Sequence, residues 1–136
     1  MAKKYDFTDY SMDTTLEKAS PVLEHEYRPV KDDQDIIVRC EHFTAGEKMK
    51  YAAVRTDGTF YFDYARIFAD KTTSIEGLTL TFRDAKTGKA TDVKITDPYV
   101  LVGMPDKGIV SEIVRETALH LINGESLTEK EEKNSD

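Results

Sequence analysis

Between positions 109 and 122 apolar side chains return every three to four residues, and no other stretch limits the fold so firmly. Ile109, Ile113, Thr117 and Leu121 form one row, and Val110, Val114, Ala118 and Ile122 form the next. On a helix the two rows merge into one wide stripe. Pro105 and Asp106 mark its start, with Asp106 at the N-cap, and Asn123-Gly124 supplies a stop signal. Such a stripe must be covered, mainly by the protein's own core. It is wider than one small hairpin can hide, so part of it is also open to a second subunit.

Upstream, Leu23, His25 and Tyr27 alternate with Glu24, Glu26 and Arg28, and 36–41 is rich in β-branched residues. Turn chemistry from Pro29 to Gln34 separates them, which predicts an antiparallel hairpin. Thr44-Ala45-Gly46-Glu47 fits a capping box: the threonine oxygen takes the Glu47 amide while the glutamate reaches back to the threonine amide. A helix follows to about Arg55, with Met49, Ala52 and Ala53 inward, until Asp57-Gly58 interrupts it. Phe60, Tyr61, Tyr64, Ile67 and Phe68 then fall at helical spacing and predict a second helix. Leu78, Leu80 and Phe82 alternate with Thr79, Thr81 and Arg83, and Val93 and Ile95 mirror them across 84–89. This is a second hairpin, with Gly88 suited to a positive φ. A short turn of helix is expected after Thr96-Asp97-Pro98. The fold class is therefore α+β: two antiparallel hairpins with about three helices and disordered termini. Residues 1–15 read as a mobile segment, 16–124 as one domain and 125–136 as a charged mobile tail.

The 136 residues carry a formal charge of −7, which argues against nucleic acid or an anionic membrane as the main partner. No run approaches the ~20 apolar residues of a membrane span. The basic start Met-Ala-Lys-Lys-Tyr-Asp leads to no apolar segment, so no signal peptide is expected. One cysteine excludes an internal disulfide and fits a reducing compartment.

Catalytic patterns are sought without success. Lys86-Thr87-Gly88 is one element of the serine β-lactamase set, but no serine has a lysine three residues on, so it reads as a hairpin turn. Gly88-Lys89 lacks the flanking residues of a phosphate loop. Asp32, Asp33 and Asp35 begin like a calcium loop, yet Ile37 stands where a further oxygen ligand belongs and no glycine or bidentate glutamate follows. Cys40 and His42 would share one strand face, and His25 would face Cys40 if the first hairpin forms as drawn. Closed zinc sites need four ligands and open ones three. With His120 the only other histidine and no second cysteine, these residues read as paired strand positions. No catalytic, cofactor-binding or metal-ligating residue is assigned.

Two patches resemble a known family. One is Val38-Arg39-Cys40-Glu41-His42-Phe43-Thr44-Ala45-Gly46-Glu47; the other follows the last helix and runs Ser126-Leu127-Thr128-Glu129, then Glu131, Glu132, Lys133, Asn134 and Ser135. In order and spacing they resemble the tail assembly chaperones of long-tailed, non-contractile bacteriophages, over about residues 36–136. Phe43 departs from the leucine of that pattern. The resemblance implies a non-enzymatic morphogenesis factor that keeps the tape measure protein soluble while tail tube protein polymerises around it. It implies action in the host cell cytoplasm, absence from the mature virion, self-association, and a longer form made by ribosomal frameshifting. The alternative is a structural tail-completion or adaptor component of the virion. Under the chaperone reading the partner-binding candidates are Phe60, Tyr61, Tyr64 and Phe68 in the aromatic stripe and Val114 and Leu121 on the last helix. Stacking of nucleic-acid bases on the same stripe is disfavoured by neighbouring Asp57, Asp63 and Asp70.

Overall fold

The computed structural model describes residues 3–6, 8 and 24–123. The expected charged tail, and most of the expected mobile N-terminal segment, lie outside the described residues, as do Leu23 and Gly124. The elements run β1 (Glu24–Tyr27), β2 (Ile37–Glu41), α1 (Ala45–Tyr51), β3 (Ala52–Val54), β4 (Phe60–Phe62), α2 (Tyr64–Lys71), β5 (Thr72–Glu76), β6 (Thr79–Arg83), β7 (Ala90–Lys94), α3 (Pro98–Val102) and α4 (Gly108–Asn123). This is an α+β fold built from antiparallel pairs.

The expected first hairpin is β1–β2, in the register that sets His25 opposite Cys40 and Tyr27 opposite Val38. Its turn closes through Asp33 N–H to Val30 O and Ile36 N–H to Asp33 O. β5, absent from the sequence-based expectation, adds to the far side of β2 and completes a sheet of order β1-β2-β5. Its Thr-Thr-Ser-Ile-Glu sequence offers a single aliphatic residue, Ile75, to an alternation test. A register shift opposite Arg39 and Cys40 leaves Thr73 of β5 as the extra residue of a bulge.

One core joins this sheet to the helices: Val38, Cys40, Ile67, Phe68, Leu101, Ile113 and Ala118 are fully enclosed. α2 and α3 lie against α4, and both rows of the α4 stripe are buried or half-buried among them. The surplus face expected for a second subunit is thus used within the fold, because the cover is a three-stranded sheet with two helices rather than one hairpin. α4 starts at Gly108, two residues beyond Asp106, so Asp106 is not its immediate cap.

The capping box at Thr44 forms as expected: Glu47 N–H donates to Thr44 Oγ1 at 3.1 Å and Thr44 N–H to Glu47 Oε1 at 3.0 Å. The helix it opens ends at Tyr51, however, and Ala52 continues as strand β3. Met49, expected inward, is 76% exposed. The aromatic stripe is also divided. Phe60, Tyr61 and Phe62 form β4, paired with β3, and only from Tyr64 is the chain helical, capped by Asp63 Oδ1 accepting from Arg66 N–H. Helical spacing and strand alternation overlap in so short a run, and Asp57-Gly58 closes a tight turn instead of ending a helix: Arg55 N–H reaches Thr59 O at 2.8 Å and Gly58 takes φ 86°.

The second hairpin, β6–β7, is also as expected, with Leu80 opposite Val93 and Gly88 at φ 70°. Its base is held by Ile95 N–H to Leu78 O and Ile75 N–H to Thr96 O. No helix among the described residues is long and apolar enough to cross a membrane.

Candidate functional site

Of the six partner-binding candidates, Phe60, Tyr61 and Tyr64 lie at the surface, Val114 is 8% exposed in the floor of a cleft, and Phe68 and Leu121 are core positions. Phe60 and Tyr61 stand on the short β3–β4 hairpin, 73% and 41% exposed, beside Val54 at 63%. The Arg55 guanidinium lies 5.1 Å from the Tyr61 ring centre. Tyr64 and Val114 meet from α2 and α4 along an open cleft of about 200 Å³, whose walls include Val102, Met104 and Val110. Phe68 and Leu121, by contrast, are sealed in the core, so their assignment as surface contacts is corrected. The reason is phase. In a helix that starts at Tyr64, Phe68 falls on the same inward face as Ile67, and Leu121 continues the row of Ile113 and Thr117.

Met104 and Val102 of the cleft were not singled out from sequence. They follow Pro98 in a short helix and turn whose inward face no periodicity over so few residues can define. Nearby, Asp70 accepts from both Tyr51 Oη and Tyr99 Oη at 3.0 Å, with Arg66 at 3.8 Å. Burial, then the Asp70 carboxylate, pushes the Tyr51 hydroxyl up to about 12. These phenols stay protonated and bond the surface of α2 to α1 and α3.

A second constellation lies inside the molecule, where the first hairpin meets the end of α4. His25 and Cys40 are cross-strand partners, and α4 brings His120 over them from 95 residues away. His25 Nε2 is 2.6 Å from His120 Nε2 and 3.5 Å from Cys40 Sγ. Cys40 is fully buried, His120 is 8% exposed and His25 is half-buried. Tyr27 stacks on the His120 ring at 3.9 Å and 11°, and His42 stacks on His25 at 4.0 Å and 25°. Burial, with smaller contributions from His42 and His120, lowers His25 to about 4, so its imidazole is neutral at pH 7. The sequence reading joined His25 to Cys40 but took all four residues as ordinary strand or helix positions. The structure instead draws three of them to a common point and leaves His42 as a stacking partner.

Lys71 is the buried cation of the fold's other flank. Its ammonium donates to Glu47 Oε2 at 2.7 Å, lies 3.5 Å from Glu41 and sits over the Phe43 ring. Desolvation raises the Glu47 carboxyl, but Lys71 and the Thr44 hydrogen bonds outweigh it and hold it below its ordinary value. Glu41, Phe43 and Glu47 therefore pack around one lysine of α2. The chain matches no protein-family model, no curated protein and no solved structure.

Proposed function

We propose that this protein is a non-catalytic phage tail assembly chaperone that binds the tape measure protein in the host cytoplasm and keeps it soluble during tail tube assembly. The observation that carries this reading is a surface one. Val54, Phe60 and Tyr61 hold apolar area in water on a short two-stranded hairpin, and a separate cleft opens between Tyr64 and Val114. Isolated exposed apolar residues are ordinary, but a run of them on one hairpin fits a surface that covers apolar stripes on a helical partner. The net charge of −7 favours solubility of the loaded complex through repulsion between copies. The resemblance in 38–47 and 126–135 supplies the partner's identity, with tail tube protein as a second contact and self-association through the same exposed hairpin.

Co-expression with the tape measure protein tests this. The chain should move that partner from pellet to supernatant, and Phe60→Asp and Tyr64→Asp should weaken the effect with the melting temperature kept within a few degrees. If the tape measure protein stays insoluble even with the frameshifted form supplied, the reading fails. Recovery of the chain from purified particles would favour a structural tail-completion or adaptor role.

A further inference from the structure

We propose that His25, Cys40 and His120 form a three-ligand site for a zinc-class transition-metal ion, which pins the first hairpin to the C-terminal end of α4. All three donor atoms lie within 4.8 Å of one another. A tetrahedral zinc ion bound at about 2.05 Å to nitrogen and about 2.3 Å to sulfur sets N···N near 3.3 Å and N···S near 3.5 Å. The His25–Cys40 separation of 3.5 Å already meets that requirement, and the two Nε2 atoms at 2.6 Å need to part by only about 0.7 Å. The third pair, Cys40 and His120, lies up to 4.8 Å apart and must close by about 1.3 Å, so the His120 ring has to swing away from His25 and toward Cys40.

The arrangement suits a metal better than it suits protons. His25 Nε2 faces His120 Nε2 and Cys40 Sγ together, yet a single ring nitrogen offers either one lone pair or one N–H. It can complete a strong hydrogen bond to only one of them. A cation at the point where the three converge takes a lone pair from each. The rings are also held in advance: Tyr27 fixes the plane of His120 and His42 that of His25, so little ordering remains for binding to supply.

Two nitrogens and a thiolate are borderline-soft donors. They select zinc and its neighbours over calcium or magnesium, which take oxygen. Three protein ligands leave a fourth position for water or for a side chain of a bound partner. His25 Nδ1 makes no hydrogen bond among the described residues. Lack of such an orienting bond typically costs a site about 10- to 100-fold in affinity, which places this one below the tightest structural zinc centres. Because the ligands come from β1, β2 and α4, only the folded chain presents them together, and metal must stabilise that docked state.

The test uses the full chain and Co²⁺ as a spectroscopic probe, followed by Zn²⁺ competition. The expected result is one Co²⁺ per chain, with a thiolate-to-cobalt charge-transfer band that zinc displaces. Zinc at a hundredfold excess over its Kd should raise the melting temperature by about 10 °C or more. In urea just below the unfolding midpoint, where the buried thiol is transiently opened, zinc should also protect Cys40, the only thiol, from iodoacetamide in the unmutated protein, a readout independent of any variant's folding. Cys40→Ser and His120→Gln should each lower affinity at least about 100-fold, and Cys40→Ser should abolish the band. A cobalt spectrum without thiolate character, absence of zinc protection at Cys40, or unchanged binding in folded His120→Gln would each overturn the proposal.

Discussion

In the first hairpin Val38 and Cys40 of β2 have no exposed surface, whereas in the second every residue of β7 is exposed. Both hairpins show the same alternation, and both form in the expected register. What differs is what lies over them. β2 is the central strand of its sheet, with β1 on one side, β5 on the other and its Val38 and Cys40 buried in the core shared with α4. β6–β7 is a two-stranded ribbon joined to the body through Leu78 and Ile95 at its base, while Phe82 and Val93 further out are 45% and 40% exposed. Cross-strand pairing is a local property, but burial depends on which other surfaces arrive.

The sharpest break of this comparison is Val38→Asp. An unpaired carboxylate in the fully enclosed strand should cost about 4 kcal/mol or more, enough to unfold much of the population of a small domain, as urea denaturation would record. A variant that kept its urea midpoint would place Val38 outside the core.

Gly77→Ala comes next, at about 3 kcal/mol or more. The φ of 75° disfavours any side chain, and an added Cβ would fall 2.1 Å from Asp35 O, in the turn of the first hairpin. At Gly88, by contrast, φ is 70° but nothing lies within 4 Å of the new atom, so Gly88→Ala should cost only about 1 kcal/mol. Equal thermal shifts for the two would show that the contact with Asp35 is not rigid.

Glu47→Gln probes the flank beside the first hairpin. It leaves the Lys71 ammonium with Glu41 alone and should cost about 1 to 2 kcal/mol near pH 7. The Glu47 carboxyl is held below its ordinary 4.5 in the fold, so the unfolded chain binds the proton more readily. Its contribution is therefore present above pH 4.5 and is lost as pH falls through the lower folded value. Melting curves of the two proteins should separate at neutral pH and converge in acid; a constant gap at all pH values would remove the ion pair as the cause.

Phe82→Asp, on the exposed ribbon, should be the mildest change, within about 1 kcal/mol despite being as drastic chemically as Val38→Asp. Native-state hydrogen exchange on the unmutated chain offers a parallel check: the amides of β6–β7 should exchange before those shared by β1, β2 and β5. If the ribbon is the better protected, another surface covers it in solution.

The capping box, the two hairpins, the short helix after Pro98 and the α4 stripe were all legible because each is written in residues a few positions apart. β5 was not, since Thr72 to Glu76 owes its strand state to the free edge of β2. The aromatic run was read at the wrong period because Phe60 to Phe62 satisfies helical and strand spacing alike until β3 is there to pair with it. Phe68 and Leu121 were then placed by stripe membership on surfaces that packing had already closed.

The histidine–cysteine cluster divides along the same line. Local alternation and turn chemistry fixed the partnership of His25 with Cys40, because register in a hairpin follows from residues close in sequence. Nothing local pointed to His120. Its place at 2.6 Å from His25 depends on how far α4 runs across the sheet, which is set by the packing of Ile113, Thr117 and Leu121 against strands and helices from the rest of the chain. Short-range spacing determined the elements and their pairing; only the tertiary structure, through the fit of one buried surface on another, decided which side chains meet.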